Sequence, residues 1–124
     1  MFHKLKVGIK GKAELTVSKK DTARVYGSGL VNVFATPAMI ALMERAAHTN
    51  IGKFLPEGFL TVGTEVNIKH VKSTKPGKKV WAESELISIE GKKLIFHIEA
   101  FDEDGKIGFG NHTRYIVAEK EFMG

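Results

Sequence analysis

The stretch "VFATPAMIALMERAAH", residues 33–48, is apolar on nearly every side and yet carries a carboxylate, Glu44, in the middle of the apolar run. Thr36 is a typical N-cap residue, and Pro37 suits the first helical position, where a missing N–H costs nothing. Gly52 predicts the end of the helix. Because the apolar band is wider than that of a one-sided amphipathic helix, we expect another element to wrap around it.

The wrapping element is predicted to be a sheet, because the chain after residue 59 is rich in β-branched and aromatic residues. Four segments read as strands: "FLTVGTEVNIKHV", "KVWAESELISI", "KLIFHIEAFD" and "KIGFGNHTRYIVAEKEF". Short turn signals separate them, which favours antiparallel pairing. These signals are Lys75-Pro76-Gly77, Glu90-Gly91 and Asp104-Gly105.

The part before the helix is less regular. The segment "KLKVGIKGKAELTVS" predicts one strand with a weak or bulged middle, and residues 19–32 predict a loop that covers or connects the other elements. The order of one strand, one helix and four strands predicts an α+β fold, with a long central helix against a curved antiparallel sheet. We expect residues 1–124 to form a single domain, since this length suits one core.

Composition excludes several classes of protein. A hydrophobic share of 43% with 27% charged residues is typical of a globular chain. No apolar run is long enough for a membrane span, and the first residues lack the features of a signal peptide, so we expect a soluble, cytoplasmic protein. The chain has no cysteine, which excludes disulfides and a thiolate nucleophile.

The net charge of +5 favours an anionic partner but is equally compatible with solubility alone. Five lysines crowd around the turn signal at Pro76: Lys69, Lys72, Lys75, Lys78 and Lys79. They form either a solvated hairpin tip or a landing site for phosphates. A nucleic-acid-binding module is the weakest alternative, because the aromatic residues occupy core-like strand positions and no RNA-binding signature is present.

Glu44 requires an explanation, because an isolated buried charge is very costly. It can face solvent beside Lys53 or Arg45, or it can belong to a structural ion pair. The functional alternative is an acid, base or nucleophile whose reactivity is set by its apolar surroundings. The residues alone leave these alternatives open.

His70, on the first predicted strand after the helix, can likewise be either a structural or a catalytic residue. Period-two alternation predicts that one face, turned toward the core, carries Val62, Thr64, Val66, Ile68 and His70. His70 is then either a satisfied core residue or a catalytic imidazole. The five histidines of the chain show no metal-ligand spacing, so we predict no metal site.

The last strand contains "GFGNHTRY", in which alternation places Gly108, Gly110, His112 and Arg114 on one face. Two glycines on the same face leave room for the helix backbone or for a ligand. The segment is not a dinucleotide-binding fingerprint, because it opens no helix.

Three segments together, "VFATPAMIALMERAAH", "TVGTEVNIKHVKSTKPG" and "GFGNHTRYIV", resemble the hot-dog-fold acyl-CoA thioesterases, and among them the fluoroacetyl-CoA thioesterase-like family. The resemblance runs from the first strand to about Glu119. The family pattern falls on Thr36, Glu44, Gly63 and His70, and its G-x-G-x-H-x-R segment falls on residues 108–114. Leu30 stands where the fluoroacetyl-specific enzyme has an aromatic gate.

The resemblance implies hydrolysis of an acyl-CoA thioester. Glu44 would be the nucleophile or the general base, His70 would shuttle or donate a proton, and Thr36 would bind the reacting centre. The thioester oxygen would meet N–H groups near Thr36 and Ala38, or that of Gly63. His112 and Arg114 would support the site or the ligand. The CoA phosphates would meet lysines, namely Lys72, Lys75, Lys78 and Lys79. No cofactor is implied, since coenzyme A is part of the substrate.

The same resemblance implies a homodimer with active sites at the interface. Whether dimers pair further into tetramers is left open by the sequence. Helix geometry points the same way, because eight helical residues rise about 12 Å and therefore keep Thr36 and Glu44 of one chain apart. Two alternatives use the same fold: a non-catalytic acyl-CoA-binding or regulatory dimer, and an acyl-thioester hydratase or dehydratase.

Overall fold

The computed structural model describes residues 2–123 and contains five strands and three α-helices in that range. The strands are β1 (Lys10–Thr16), β2 (Phe59–His70), β3 (Lys79–Glu90), β4 (Lys93–Asp102) and β5 (Gly105–Ala118). The helices are α1 (Ala23–Tyr26), α2 (Thr36–Ile51) and α3 (Glu119–Met123). Single 3₁₀ turns occupy Lys19–Asp21 and Gly52–Phe54. The predicted order of one strand, one long helix and four strands is confirmed.

The strands form one antiparallel sheet in the order β1-β3-β4-β5-β2, which curls around α2. The helix buries a broad band of side chains: Ala38, Met39, Leu42, Met43, Ala46, Ala47 and Ile51. The strands β3 and β4 have buried residues at alternating positions, which include Leu86, Phe96 and Ile98. Burial of this apolar surface is the main force that holds the helix in the sheet.

Small residues let the helix lie close to the sheet. A Cβ at Gly108 would lie 2.6 Å from Met39 Sδ, so this glycine makes room for a helix side chain. A Cβ at Gly110 would overlap the Asn67 carbonyl oxygen of β2, so that glycine serves strand packing. The backbone of α2 comes closest at Gly11 of β1, where a Cβ would overlap the Ala46 carbonyl oxygen. The sequence pattern did not single out Gly11.

The predicted face of β2 is wrong in its first half. The register with β5 shifts between Gly63 and Glu65, which is a β-bulge. A bulge inserts one extra residue and reverses the alternation. Gly63 therefore lies on the helix side, whereas Val62 pairs with the exposed Tyr115. Beyond the bulge the prediction holds for His70, which pairs with Gly108.

Two further predictions are corrected by the topology. The lysine-rich segment is a crossover and no hairpin tip, because β2 pairs with β5 while β3 pairs with β1 and β4. It carries the chain past the start of α2, where the Phe34 N–H donates to the Thr74 carbonyl at 2.8 Å. The end of the last predicted strand, residues 119–122, belongs to the short helix α3. Within residues 2–123, no helix is both long and apolar enough to cross a membrane.

Candidate active site

The start of α2 and the end of β2 meet through one side-chain hydrogen bond. Thr36 Oγ1 lies 2.7 Å from His70 Nδ1. Thr36 is the first residue of the helix, the N-cap position belongs to Ala35, and no side chain caps the helix. The prediction that Thr36 is the N-cap is therefore wrong by one position, and its hydroxyl is engaged with the imidazole.

The other nitrogen of His70, Nε2, is buried and has no hydrogen-bond partner among the described residues. The imidazole packs edge-on against the buried Phe34 ring, with the ring centroids 6.5 Å apart. Burial lowers the pKa of His70, and the backbone of Lys72, which raises it, does not compensate. The ring is therefore neutral at physiological pH.

A cleft of about 360 Å³ opens at this hydrogen bond. Its wall combines polar and apolar side chains: Ala23, Ser28, Val33, Phe34, Thr36, His70, Val71, Lys72 and Ser73. Beside it, the segment that follows α1 exposes Leu30 at 91% and Val31 at 60% of the residue surface. The cleft can accept a small group with both polar and apolar parts.

A second group of predicted site residues gathers around Gly63. A Cβ on Gly63 would lie 2.9 Å from Glu44 Oε2, 3.0 Å from His112 Cε1 and 3.2 Å from Arg114 Nη1. Glu44 Oε2 lies 3.9 Å from His112 Nε2. The Glu44 side chain is 40% exposed, so it is neither sealed in the core nor free in bulk solvent. A methyl group at this position would therefore displace at least one of these three side chains.

Buried hydrogen bonds hold the base of this second group. Arg114, which is 6% exposed, donates from Nε to Thr61 Oγ1 at 2.8 Å and from Nη2 to the Thr61 carbonyl at 2.9 Å. Its Nη1 donates to His112 Nε2 at 3.1 Å, and His112 Nδ1 donates to the Glu65 carbonyl at 2.8 Å. Both ring nitrogens are thus engaged, which makes His112 a neutral imidazole. Thr61 has no distinctive sequence pattern, and sequence reasoning missed it.

The pKa values of this second group reflect burial and charge. Burial lowers the pKa of His112 most, Arg114 lowers it further, and the Glu65 hydrogen bond and Glu44 oppose these effects. Burial also lowers the pKa of Arg114, while Glu44 raises it. A guanidinium remains charged under ordinary conditions, so a fixed positive charge lies beneath the Glu44 carboxylate.

The structure thus separates the predicted residues into two half-sites. We call them the histidine half-site (Thr36 and His70) and the carboxylate half-site (Glu44, Gly63, His112 and Arg114). They lie two turns of α2 apart, and eight helical residues rise about 12 Å. The backbone N–H of Ala38 belongs to the first turn, where donors lack an intrahelical partner. It therefore points toward the N-terminal end of the helix, where Thr36 lies.

The predicted phosphate-binding lysines differ from one another. Lys72 Nζ lies 2.7 Å from Asp102 Oδ2 and is engaged in that ion pair. Lys75 and Lys78 are exposed on the crossover, and Lys79 is exposed at the start of β3. Among residues 2–123, no group of three or more His, Cys, Asp or Glu side chains could hold a metal ion.

Comparison with solved structures defines the class. A hot-dog-like protein from Thermanaerovibrio acidaminovorans superimposes with a TM-score of 0.88 at 23% identity, over 98% of this chain and 90% of that one. The fluoroacetyl-CoA thioesterase FlK gives a TM-score of 0.89 at 30% identity, over 96% and 93%. A thioesterase superfamily member from Thermus thermophilus gives 0.89 at 29% identity, over 95% and 88%. The fold is therefore the hot-dog fold, as predicted.

Sequence comparison narrows the class to a family. The profile of the fluoroacetyl-CoA-specific thioesterases matches residues 17–120. The fluoroacetyl-CoA thioesterase of Streptantibioticus cattleyicolor is 36% identical over 90 residues, which are 73% of this chain and 65% of that relative. This chain belongs to the fluoroacetyl-CoA-specific thioesterase family, and the predicted resemblance is confirmed.

Proposed function

We propose that this protein hydrolyses a small acyl-CoA thioester to the free acid and coenzyme A, at sites shared between two copies of the chain. The observation that carries the proposal is the pairing of Thr36 with His70, which leaves His70 Nε2 buried and unpartnered among the described residues. A buried polar atom without a partner is rare and points to a missing ligand or protein group. The names of the relatives support the thioester as the substrate class.

The open edge of β2 supports the proposal that a second copy of the chain completes the site. Among the described strands, β2 pairs only with β5, so its outer edge is available to another strand. Its middle, residues 63–67, is exposed. A two-fold axis through this exposed middle would pair β2 with itself and bring Gly63 of one chain to within about 10 Å of His70 in the other along the strand. Glu44 of one chain would then share a substrate with His70 of the other.

The reaction needs one acid–base pair and one oxyanion site. As general base, Glu44 takes a proton from water while the oxygen attacks the carbonyl carbon; as nucleophile, it attacks directly and water then releases the acid. In both routes the C–S bond breaks, His70 Nε2–H would donate a hydrogen bond to the departing sulfur, and the proton released by the attacking water would reach the CoA thiolate, directly or by way of His70. Thr36, by donating to Nδ1, would keep that hydrogen on Nε2. The oxyanion would meet the N–H of Ala38 or Gly63.

The charges around the sites suit the rest of the substrate. Arg114 would attract the Glu44 carboxylate and aim it across Gly63, because opposite charges attract. The exposed Lys75, Lys78 and Lys79 would attract the CoA phosphates as point charges. The cleft lined by Val33, Phe34 and Thr36 would take the acyl group.

A thiol-release assay over fluoroacetyl-CoA, acetyl-CoA, branched and aromatic acyl-CoAs tests the activity, with chromatography of the acid product. Release of CoA with formation of the free acid is expected for at least one small acyl group. Binding of acyl-CoA without thiol release would instead identify a regulatory protein. A hydrated or dehydrated acyl-CoA product would identify a hydratase or dehydratase.

Complementation between two inactive variants tests the shared site. Glu44→Gln and His70→Ala should each be inactive alone. Mixed as exchanging subunits, half of the dimers hold one intact site, so about one quarter of wild-type activity should return. The matched control pairs His70→Ala with Thr36→Val, which damage the same half-site and should recover nothing beyond their own activities. If Glu44→Gln and His70→Ala also fail to complement, both half-sites must act within one chain.

A further inference from the structure

Asp102, at the end of β4, is a buried carboxylate that lies outside both half-sites. It is 4% exposed. Three donors surround it: Lys72 Nζ at 2.7 Å, Thr74 Oγ1 at 2.9 Å and the Asp104 N–H at 2.8 Å. Burial raises the pKa of Asp102, but hydrogen bonds from Lys72, Asp104 and Thr74 together lower it below its ordinary value. A carboxylate so fully engaged is a rigid anchor.

Two of the three donors lie immediately after the catalytic histidine in the chain. His70 ends β2, Lys72 follows two residues later, and Thr74 follows four residues later. The backbone between them is also tied to the sheet, because the Val71 N–H donates to the Ile107 carbonyl at 2.8 Å. Asp102 thus fixes the segment that follows His70, through the side chains of Lys72 and Thr74.

The same anchor reaches the start of the helix. The buried Thr74 accepts the Phe34 N–H through its carbonyl at 2.8 Å. Phe34 precedes Thr36 by two residues, and its ring packs edge-on against the imidazole of His70. Both partners of the 2.7 Å hydrogen bond between Thr36 and His70 are therefore flanked by segments that converge on Asp102.

We infer that Asp102 is a positioning residue for the proposed thioesterase reaction: through Lys72 and Thr74 it keeps Thr36 and His70 at hydrogen-bonding distance. The inference rests on the proposed function. Catalytic groups need geometry within about 0.5 Å, and a displacement of about 1 Å can cost roughly a hundredfold in rate. Lys72 accordingly acts in positioning. The residues that would bind the CoA phosphates are then the three exposed lysines, Lys75, Lys78 and Lys79.

The test compares Asp102→Asn with Asp104→Asn as a matched control. Asp104 has a side chain that is 74% exposed and lies 3.9 Å from the same Lys72 Nζ. We expect Asp102→Asn to lower kcat at least tenfold with KM within threefold, and Asp104→Asn to change neither beyond twofold. The ¹⁵N shifts of the His70 imidazole should move in Asp102→Asn alone, because the Nδ1 hydrogen bond weakens.

A milder pair keeps the test decisive if Asp102→Asn fails to fold. Thr74→Val removes the hydroxyl and keeps the shape, whereas Thr74→Ser keeps the hydroxyl. Thr74→Val should lower kcat several-fold at a temperature where the variant is folded, and Thr74→Ser should restore most of it. A folded Asp102→Asn or Thr74→Val with wild-type kcat and unchanged His70 shifts would overturn the inference.

The imidazole shifts also separate this inference from the proposed function. If the wild-type protein releases no thiol from any acyl-CoA, the proposed function fails, and the shift change in Asp102→Asn still decides the positioning role. If thiol release is present but the imidazole shifts are the same in wild type and Asp102→Asn, the positioning role fails and the thioesterase activity stands.

Discussion

The side chains of the two half-sites are held in place by different interactions. In the histidine half-site, Thr36 and His70 are neutral and touch directly at 2.7 Å, and their cleft is open. In the carboxylate half-site, Glu44 is 3.9 Å from His112 Nε2, and its surroundings are dominated by the buried charge of Arg114. The first half is organised by a hydrogen bond and the second by a fixed charge. Neither contains both a carboxylate and an available imidazole, so the proposed hydrolysis needs the two together.

The largest expected effect on activity comes from removing the negative charge of Glu44 in the carboxylate half-site. Glu44→Gln should lower kcat by about 10³-fold or more and leave the fold intact, because the amide keeps the shape but cannot act as base or nucleophile. Thiol release and circular dichroism measure both outcomes. The matched control is Glu57→Gln at an exposed position, which should keep full activity. Activity of Glu44→Gln within threefold of wild type would reduce Glu44 to a structural role.

The second-largest expected effect on activity comes from removing the hydrogen bond between Thr36 and His70 in the histidine half-site. Thr36→Val should lower kcat by about 10- to 100-fold, because His70 loses its Nδ1 partner and the hydrogen on Nε2 is no longer held in place. Thr36→Ser retains the hydroxyl and should keep most of the activity. Equal rates for the two variants would show that the hydroxyl is dispensable. Steady-state kinetics on the best acyl-CoA of the panel gives the comparison.

A smaller effect is expected from crowding the carboxylate half-site. In Gly63→Ala the new methyl would lie 2.9 Å from Glu44 Oε2. Because that oxygen ends a flexible side chain, Glu44 should shift and kcat should fall by about tenfold, or ~1.4 kcal/mol in the barrier. Gly52→Ala is the control, since its φ is −57° and a Cβ there meets nothing within 4 Å. Unchanged kcat in Gly63→Ala would remove the steric role of Gly63.

The smallest expected effect is the pH dependence of stability. The pKa values of His48, His70 and His112 are all lowered from the ordinary 6.5, in each case chiefly by burial. Below pH 6.5 the unfolded chain therefore binds protons that the folded chain does not. The free energy of unfolding should be highest above that pH and fall as the pH drops through it.

Urea unfolding at pH 8 and pH 5 measures this dependence. His112→Asn should show a smaller loss of stability on acidification than wild type, because His112 is buried and fully hydrogen-bonded. The variant is expected to be less stable than wild type at both pH values, since it leaves buried partners unsatisfied. The same pH dependence in both proteins would show that the burial of this imidazole does not couple to folding.

Much of the architecture could be predicted from the sequence. Pro37 and Gly52 marked the ends of the helix, and β-branched alternation marked the strands. Local periodicity suffices here, because helix and strand formation depend mainly on near neighbours in the chain. The same logic failed at the bulge after Gly63, since an extra residue in β2 is visible only against the register of β5.

The sequence by itself determined the fold family and the residues that belong to the candidate site, because the spacing of Thr36, Glu44 and His70 is a property of the chain alone. Only the tertiary structure decided which of them meet. The contact of Thr36 with His70 spans 34 residues, and that of Asp102 with Lys72 spans 30. Such contacts depend on strand register and on the path of the crossover, which arise from packing of the whole chain and leave no local pattern.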